Sequence, residues 1–154
     1  MSSVNMEREV TLRIVVERPP AGVDFGLQKG RGSDYETMQT QRSKTEDLRF
    51  EFTVRTKAGR KDAMPTFLGS FVQGPPHQRF VYLDIGTYAG QADTVWSRRL
   101  KIPLSGITWE MVDRVWDSSA TLEARVHGTG TDGGPSCGTV KHFDGWKLRR
   151  SKSR

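Results

Sequence analysis

The chain has one cysteine, Cys137, among 154 residues. An internal disulfide is excluded, and a reducing, cytoplasmic setting is the expectation. Histidine is nearly as scarce. His77, His127 and His142 form no CxxC, HExxH or HxH pair with each other or with Cys137, so no metal site is expected. No apolar run approaches the ~20 residues of a membrane-spanning helix. The stretch "MSSVNMEREV" lacks the apolar core of a secretory leader. The expectation is therefore a chain without membrane contact.

Charge is uneven. The net charge is +6, but "KLRRSKSR" at the end carries Lys147, Arg149, Arg150, Lys152 and Arg154 and no acid. Taking these five charges from +6 leaves +1 for the rest of the chain. A basic tail on a near-neutral body reads as a solvated terminus, and nucleic acid is not the expected partner.

Most of the chain alternates apolar with polar, the period of half-buried strands. In "TLRIVVE", Leu12, Ile14 and Val16 share a face. "VDFGLQKG" sets Val23, Phe25 and Leu27 against Asp24, Gly26 and Gln28. "LRFEFTVRT" sets Leu48, Phe50, Phe52 and Val54 against Arg49, Glu51, Thr53 and Arg55. "RFVYLDIGT" is apolar on parts of both faces and reads as a central strand. "WSRRLKIPL", "TLEARVH" and "TVKHFDGWKL" supply the remaining strands. Pro- and Gly-bearing turns such as "RPPAG" and "QGPPHQ" separate them.

One segment reads as helix: "PLSGITWEMVDRVWDSS", with Ile107, Met111, Val115 and Trp116 at helical spacing and Thr108 as its cap. The polar stretch 32–47 has neither period and reads as a long loop or lid. The expected architecture is mainly β: an antiparallel β-sandwich or partly open barrel of about seven or eight strands with one short helix. It forms a single β domain over 7–148, followed by a basic tail over 149–154.

"HGTGTDGGPSCGTV" contains Gly128, Gly130 and Gly133 in the register of a dinucleotide-binding loop. That motif needs a helix starting at the glycines and a further strand after it. Here Gly134-Pro135 and an extended segment follow, so no nucleotide cofactor is expected. A β-hairpin turning at Asp132-Gly133-Gly134 is the better reading. Such a hairpin sets His127 across from Cys137 and makes them a candidate base and nucleophile, although a small buried cysteine is the commoner fate.

The densest unusual stretch is Leu68–Gly90, where a Gly-Pro-Pro turn separates two aromatic-rich segments. Gln73, Arg79 and Tyr82 lie around it. Aromatic walls with a few placed polar groups make ligand pockets as well as ordinary hairpin cores. Arg98, Arg99 and Lys101 add a basic strand. Arg99 and Lys101 share one face, which could line an anion site with Arg79 and Lys29 or could be a solvated surface. The arginines of the other strands alternate with Glu17, Glu51 and Glu123, which suggests cross-strand pairing. Asp84 is the best lone acid, since burial would raise its pKa; a satisfied structural aspartate is the plainer reading.

The segments "GLQKG", "LGSFVQGPPHQRFVYLDIGT", "WSRRLKIPL" and "DGGPSCGTV" together resemble an uncharacterised bacterial family, domain of unknown function 5990. The match runs from about Gly26 to Val140, and the block "FVQGPPHQRFVYL" carries most of it. The resemblance implies a small soluble bacterial domain and names no reaction. The positions matching the family's motifs are Gln28, Gln73, Gly74, Arg79, Tyr82, Lys101 and Cys137.

The leading expectation is a β domain that binds a small anionic or polar-aromatic molecule through Gln28, Gln73, Arg79, Tyr82 and Lys101, without a cofactor. One alternative is a small β-barrel isomerase, cyclase or hydrolase using Asp84, His127 or Cys137. Another is an interaction module using the basic tail. The sequence leaves the oligomeric state open.

Overall fold

A computed structural model of the protein describes residues 3–4, 7–29, 39–57, 59–60, 64–88, 94–118, 120–127, 137–139 and 145–150. The elements follow in chain order: β1 (Ser3–Val4), β2 (Glu9–Glu17), β3 (Val23–Leu27), β4 (Gln39–Arg42), β5 (Leu48–Thr56) and β6 (Gly59–Arg60). Next come β7 (Phe67–Leu68), β8 (Phe80–Tyr88), β9 (Thr94–Pro103), α1 (Trp109–Ser118), β10 (Ala120–His127), β11 (Cys137–Thr139) and β12 (Lys147–Arg150).

They form two five-stranded sheets, ordered β12-β10-β2-β5-β7 and β11-β9-β8-β3-β4, with a small β1-β6 ribbon. The fold is mainly β, as the alternation predicts, with more strands than the seven or eight expected. In β5, Phe50, Phe52 and Val54 are buried, while Arg49, Glu51, Thr53 and Arg55 are exposed. β8 is central in its sheet, which explains the apolar character of both its faces.

One apolar cluster fills the space between the sheets. It joins Leu12, Ile14, Phe50, Phe52, Leu122 and Val126 of the first sheet to Phe25, Leu27, Val81, Leu83, Leu100 and Ile102 of the second. Shared burial of two inner faces makes this a sandwich. Among the described residues, the two sheets do not close into a barrel. At one margin, side-chain amides bridge the sheets instead. Gln39 and Gln41 of β4 donate to the main-chain carbonyls of Glu51 and Arg49 at 2.9 and 2.7 Å. These bonds cap β5 where β7, paired only with Arg55 and Thr56, does not reach.

Most pairings are antiparallel, but β10 runs parallel to β2 and β11 parallel to β9. This overturns the predicted hairpin at 132–134. Leu122–His127 pair with Leu12–Glu17 in the first sheet, whereas Cys137–Thr139 pair with Arg99–Lys101 in the second. The Asp-Gly signal is local, and burial of two separate strand faces outweighs it. The turn itself lies outside the described residues.

The helix forms where predicted. Thr108 Oγ1 accepts from the Met111 N–H at 3.2 Å, capping the first turn. Of the expected face, Ile107 and Val115 are buried and Met111 packs half-buried on the core, while Trp116 departs from it. Ile107, Trp109, Val112 and Val115 face inward, and Trp116 is 50% exposed. The helix packs against β10 and β2, and this fixes its rotation. The stretch read as a lid is partly strand: β4 pairs with β3. Residues 32–38 of it lie outside the described residues. The basic tail is also partly ordered, with Arg149 and Arg150 of β12 paired to Thr121 and Ala120.

The first sheet's outer face is an ion-pair lattice. Arg13 reaches Glu51 at 2.8 Å and Glu123 at 3.1 Å; Arg125 reaches Glu17 at 2.8 Å and Glu123 at 2.9 Å; Arg149 reaches Glu123 at 3.4 Å. Glu123 is buried beneath its three arginines. Burial alone pushes its carboxyl up. The hydrogen bonds and charges of Arg13 and Arg125 outweigh that and hold it below the ordinary carboxylate value. This mixed-sign face is paired internally, as the sequence suggests.

Candidate functional site

The Gly-Pro-Pro turn organises the region. Gln73 and Phe80 exchange main-chain hydrogen bonds of 2.8 and 2.9 Å, closing the loop that contains Gly74, Pro75 and Pro76. Gly74 has φ +96°, and a Cβ there would stand 2.6 Å from Phe80 Cε2 and 2.7 Å from the Gln78 carbonyl oxygen. Only glycine fits both the backbone conformation and the close ring. The Gln78 N–H donates to the Pro75 carbonyl at 2.9 Å, and the Leu104 N–H to the Arg79 carbonyl at 2.9 Å.

Four of the five predicted binding residues come together on the outer face of the second sheet. Tyr82 pairs with Lys101 across β8 and β9. The Lys101 ammonium lies 4.4 Å from the centre of the Phe80 ring, and the Phe80 and Tyr82 rings are 4.9 Å apart. The Gln28 N–H donates to the Tyr82 carbonyl at 3.0 Å, and the Gln73 side-chain amide donates to the Gln28 side-chain oxygen at 3.2 Å. Among the described residues, no carboxylate pairs with Lys101.

Two buried aspartates complete this face. Arg99 holds Asp84 side-on, Nε to Oδ1 at 2.8 Å and Nη2 to Oδ2 at 3.2 Å. Arg42 holds Asp24 in the same way, at 2.7 and 3.2 Å. Gly26 stands opposite Asp84, and Gly86 opposite Asp24, so each carboxylate has a neighbour without a side chain. Asp84 is buried as expected, but its guanidinium fork makes it a satisfied acceptor. Arg99, 4.6 Å from the Tyr82 ring centre, is engaged with Asp84, so it does not stand as a free anchor for an anion.

Arg79 belongs to a different place. It lines a cleft of about 360 Å³ at one end of the sandwich. Met64, Pro65, Phe67, Pro76 and Leu104 make the apolar wall. Thr66, His77 and Ser105 are its other polar groups. Arg79 Nη1 donates to the Gly74 carbonyl, and its Nε is buried with no partner among the described residues. Phe67 and Leu104 are fully buried, while Met64, His77 and Ser105 are exposed at the rim. Sequence reasoning missed all the wall residues except Pro76, because they come from three separated segments. The only local sign was the Gly-Pro-Pro turn.

His127 and Cys137 are not brought together as predicted. His127 pairs with Glu17 in the first sheet. Cys137 pairs with Arg99, which in turn pairs with Asp84, so these three form one cross-strand row of the second sheet.

Residues 10–149 match the model of a family described as a family of unknown function (DUF5990). No curated protein and no solved structure matches the chain. No helix among the described residues is long and apolar enough to cross a membrane.

Proposed function

The chain belongs to the family of unknown function DUF5990, which carries no activity with it, and we propose on physical grounds that it is a small-molecule-binding β domain. The ligand is anionic or polar-aromatic, and its site is the cleft beside the Gly-Pro-Pro turn. The observation that carries this reading is the Arg79 guanidinium lining a mostly apolar cleft, its buried Nε without a partner among the described residues. Ligand pockets combine these features: apolar walls, a few convergent polar groups and a volume of roughly 300–1,000 Å³.

The turn supports the reading through rigidity. Two prolines and a glycine pressed on Phe80 fix Pro76 and Arg79 relative to β8 at little entropic cost on binding. Gln28, Gln73, Tyr82 and Lys101 then buttress the turn from the outer face, with Gln73 paired directly to Phe80.

The test is a ligand-library thermal-shift screen on the wild type and Arg79→Ala. Compounds that raise the melting temperature of the wild type and not of the variant are expected. A library in which no compound separates the two proteins overturns the reading.

A further inference from the structure

We infer that the cleft takes a compact apolar monocarboxylate, its carboxylate on the Nε/Nη2 edge of Arg79 and its body against Met64 and Pro76. This rests on the proposed function and names its ligand class.

The protein itself shows how its arginines hold carboxylates. Arg42 and Arg99 each grip an aspartate side-on, with Nε on one oxygen and Nη2 on the other. Arg79 spends Nη1 on the Gly74 carbonyl, which leaves the Nε/Nη2 edge without a protein acceptor among the described residues. That edge matches the planar spacing of a carboxylate. Nε is buried in the free protein, so side-on capture requires the guanidinium to turn toward the cleft.

Charge count sets the class further. Among the described residues, no Asp, Glu or Lys lines the cleft, and Arg79 is its permanent cation. One negative charge is therefore balanced. A phosphate dianion would bring a second charge into apolar surroundings without a partner, at a desolvation cost. Met, Pro, Phe and Leu make most of the wall beside Thr66, His77 and Ser105, so the rest of the ligand is mainly apolar, and about 360 Å³ limits it to a compact body.

The experiment is isothermal titration of the full chain with phenylacetate and 4-methylpentanoate, their primary amides, and phenyl phosphate. Wild type, Arg79→Gln and Ser105→Trp are compared. Ser105 is exposed at the rim, so the tryptophan fills the mouth without disturbing the core. At least one acid is expected to bind about tenfold or more tightly than its amide, because the amide lacks the charge that the guanidinium needs. Arg79→Gln should bring the acid down to the amide's affinity, and Ser105→Trp should abolish both. An amide equal to its acid, or a phosphate that binds tighter than either acid, overturns the carboxylate class and leaves the cleft reading standing. Absence of binding by every probe, or binding untouched by Ser105→Trp, overturns the inference. Only the first of those two, joined to an empty library screen, also removes the proposed function. Should Arg79→Gln not fold, the comparison of acid with amide on wild type and Ser105→Trp still decides.

Discussion

Arg99 closes on Asp84 across β8 and β9 through both Nε and Nη2, and stacks at the same time on Tyr82. The Asp84 side chain is 2% exposed and the Arg99 side chain 34%. The two partners therefore have unequal consequences when removed. Arg99→Ala leaves a buried carboxylate without its fork, whereas Asp84→Asn lets the arginine turn toward water.

The expected cost of Arg99→Ala is about 2–4 kcal/mol, and that of Asp84→Asn about 1–2 kcal/mol. The first figure sits below the usual range for buried pairs because the Arg99 side chain is partly exposed. Urea unfolding at neutral pH measures both. Two losses near zero would show that the pair behaves as an ordinary surface contact.

Gly74→Ala should be among the most damaging single-methyl changes in the chain. It combines a left-handed backbone with a Cβ pressed into the Phe80 ring, at about 2–4 kcal/mol in all. Gly22→Ala is the control. Its φ is +80° but nothing lies within 4 Å, so backbone strain alone remains, about 1 kcal/mol. Thermal unfolding of the two variants separates steric from conformational cost, and equal shifts would refute the close ring contact.

Glu123 predicts a pH dependence. Its carboxyl is held below the ordinary value of 4.5 in the folded protein. A depressed acid stabilises the fold fully above its unfolded pKa, and that stabilisation is lost as pH falls through the folded value. The stability gap between wild type and Glu123→Gln should be widest near pH 6–7, about 1–3 kcal/mol, and narrow below about pH 4.5. A gap that widened in acid would have the wrong sign for this lattice.

The helix offers a contrast of faces. Val112 is fully buried on the helix face that packs against the first sheet, so Val112→Ala should cost about 1–3 kcal/mol. Trp116, half exposed with Arg8 5.5 Å from its ring centre, should cost under about 1 kcal/mol when cut to alanine. Chemical denaturation of both tests the orientation of α1, and a larger loss at Trp116 would reverse it.

The site was legible only in part. Gln28, Gln73, Tyr82 and Lys101 gather on one face because strand parity and pairing put them there, and parity is written locally. Arg79 departs from them because it precedes the strand and closes back on Gly74. The cleft it lines draws on residues 64–67 and 104–105. Their proximity depends on how the sandwich ends meet, which no window of sequence contains.

Alternation of apolar and polar residues by itself determined the strands, their inner faces and the paired charges of the first sheet. A period of two is a local property, and the hydrophobic effect turns it directly into a buried side. Only tertiary structure decided which strands became neighbours. β10 lies parallel to β2 in one sheet and β11 parallel to β9 in the other, so the two strands flanking the glycine-rich stretch are not hairpin partners. Pairing is chosen by the joint burial of faces far apart in the chain. A two-residue turn preference, worth little against that burial, yields to it.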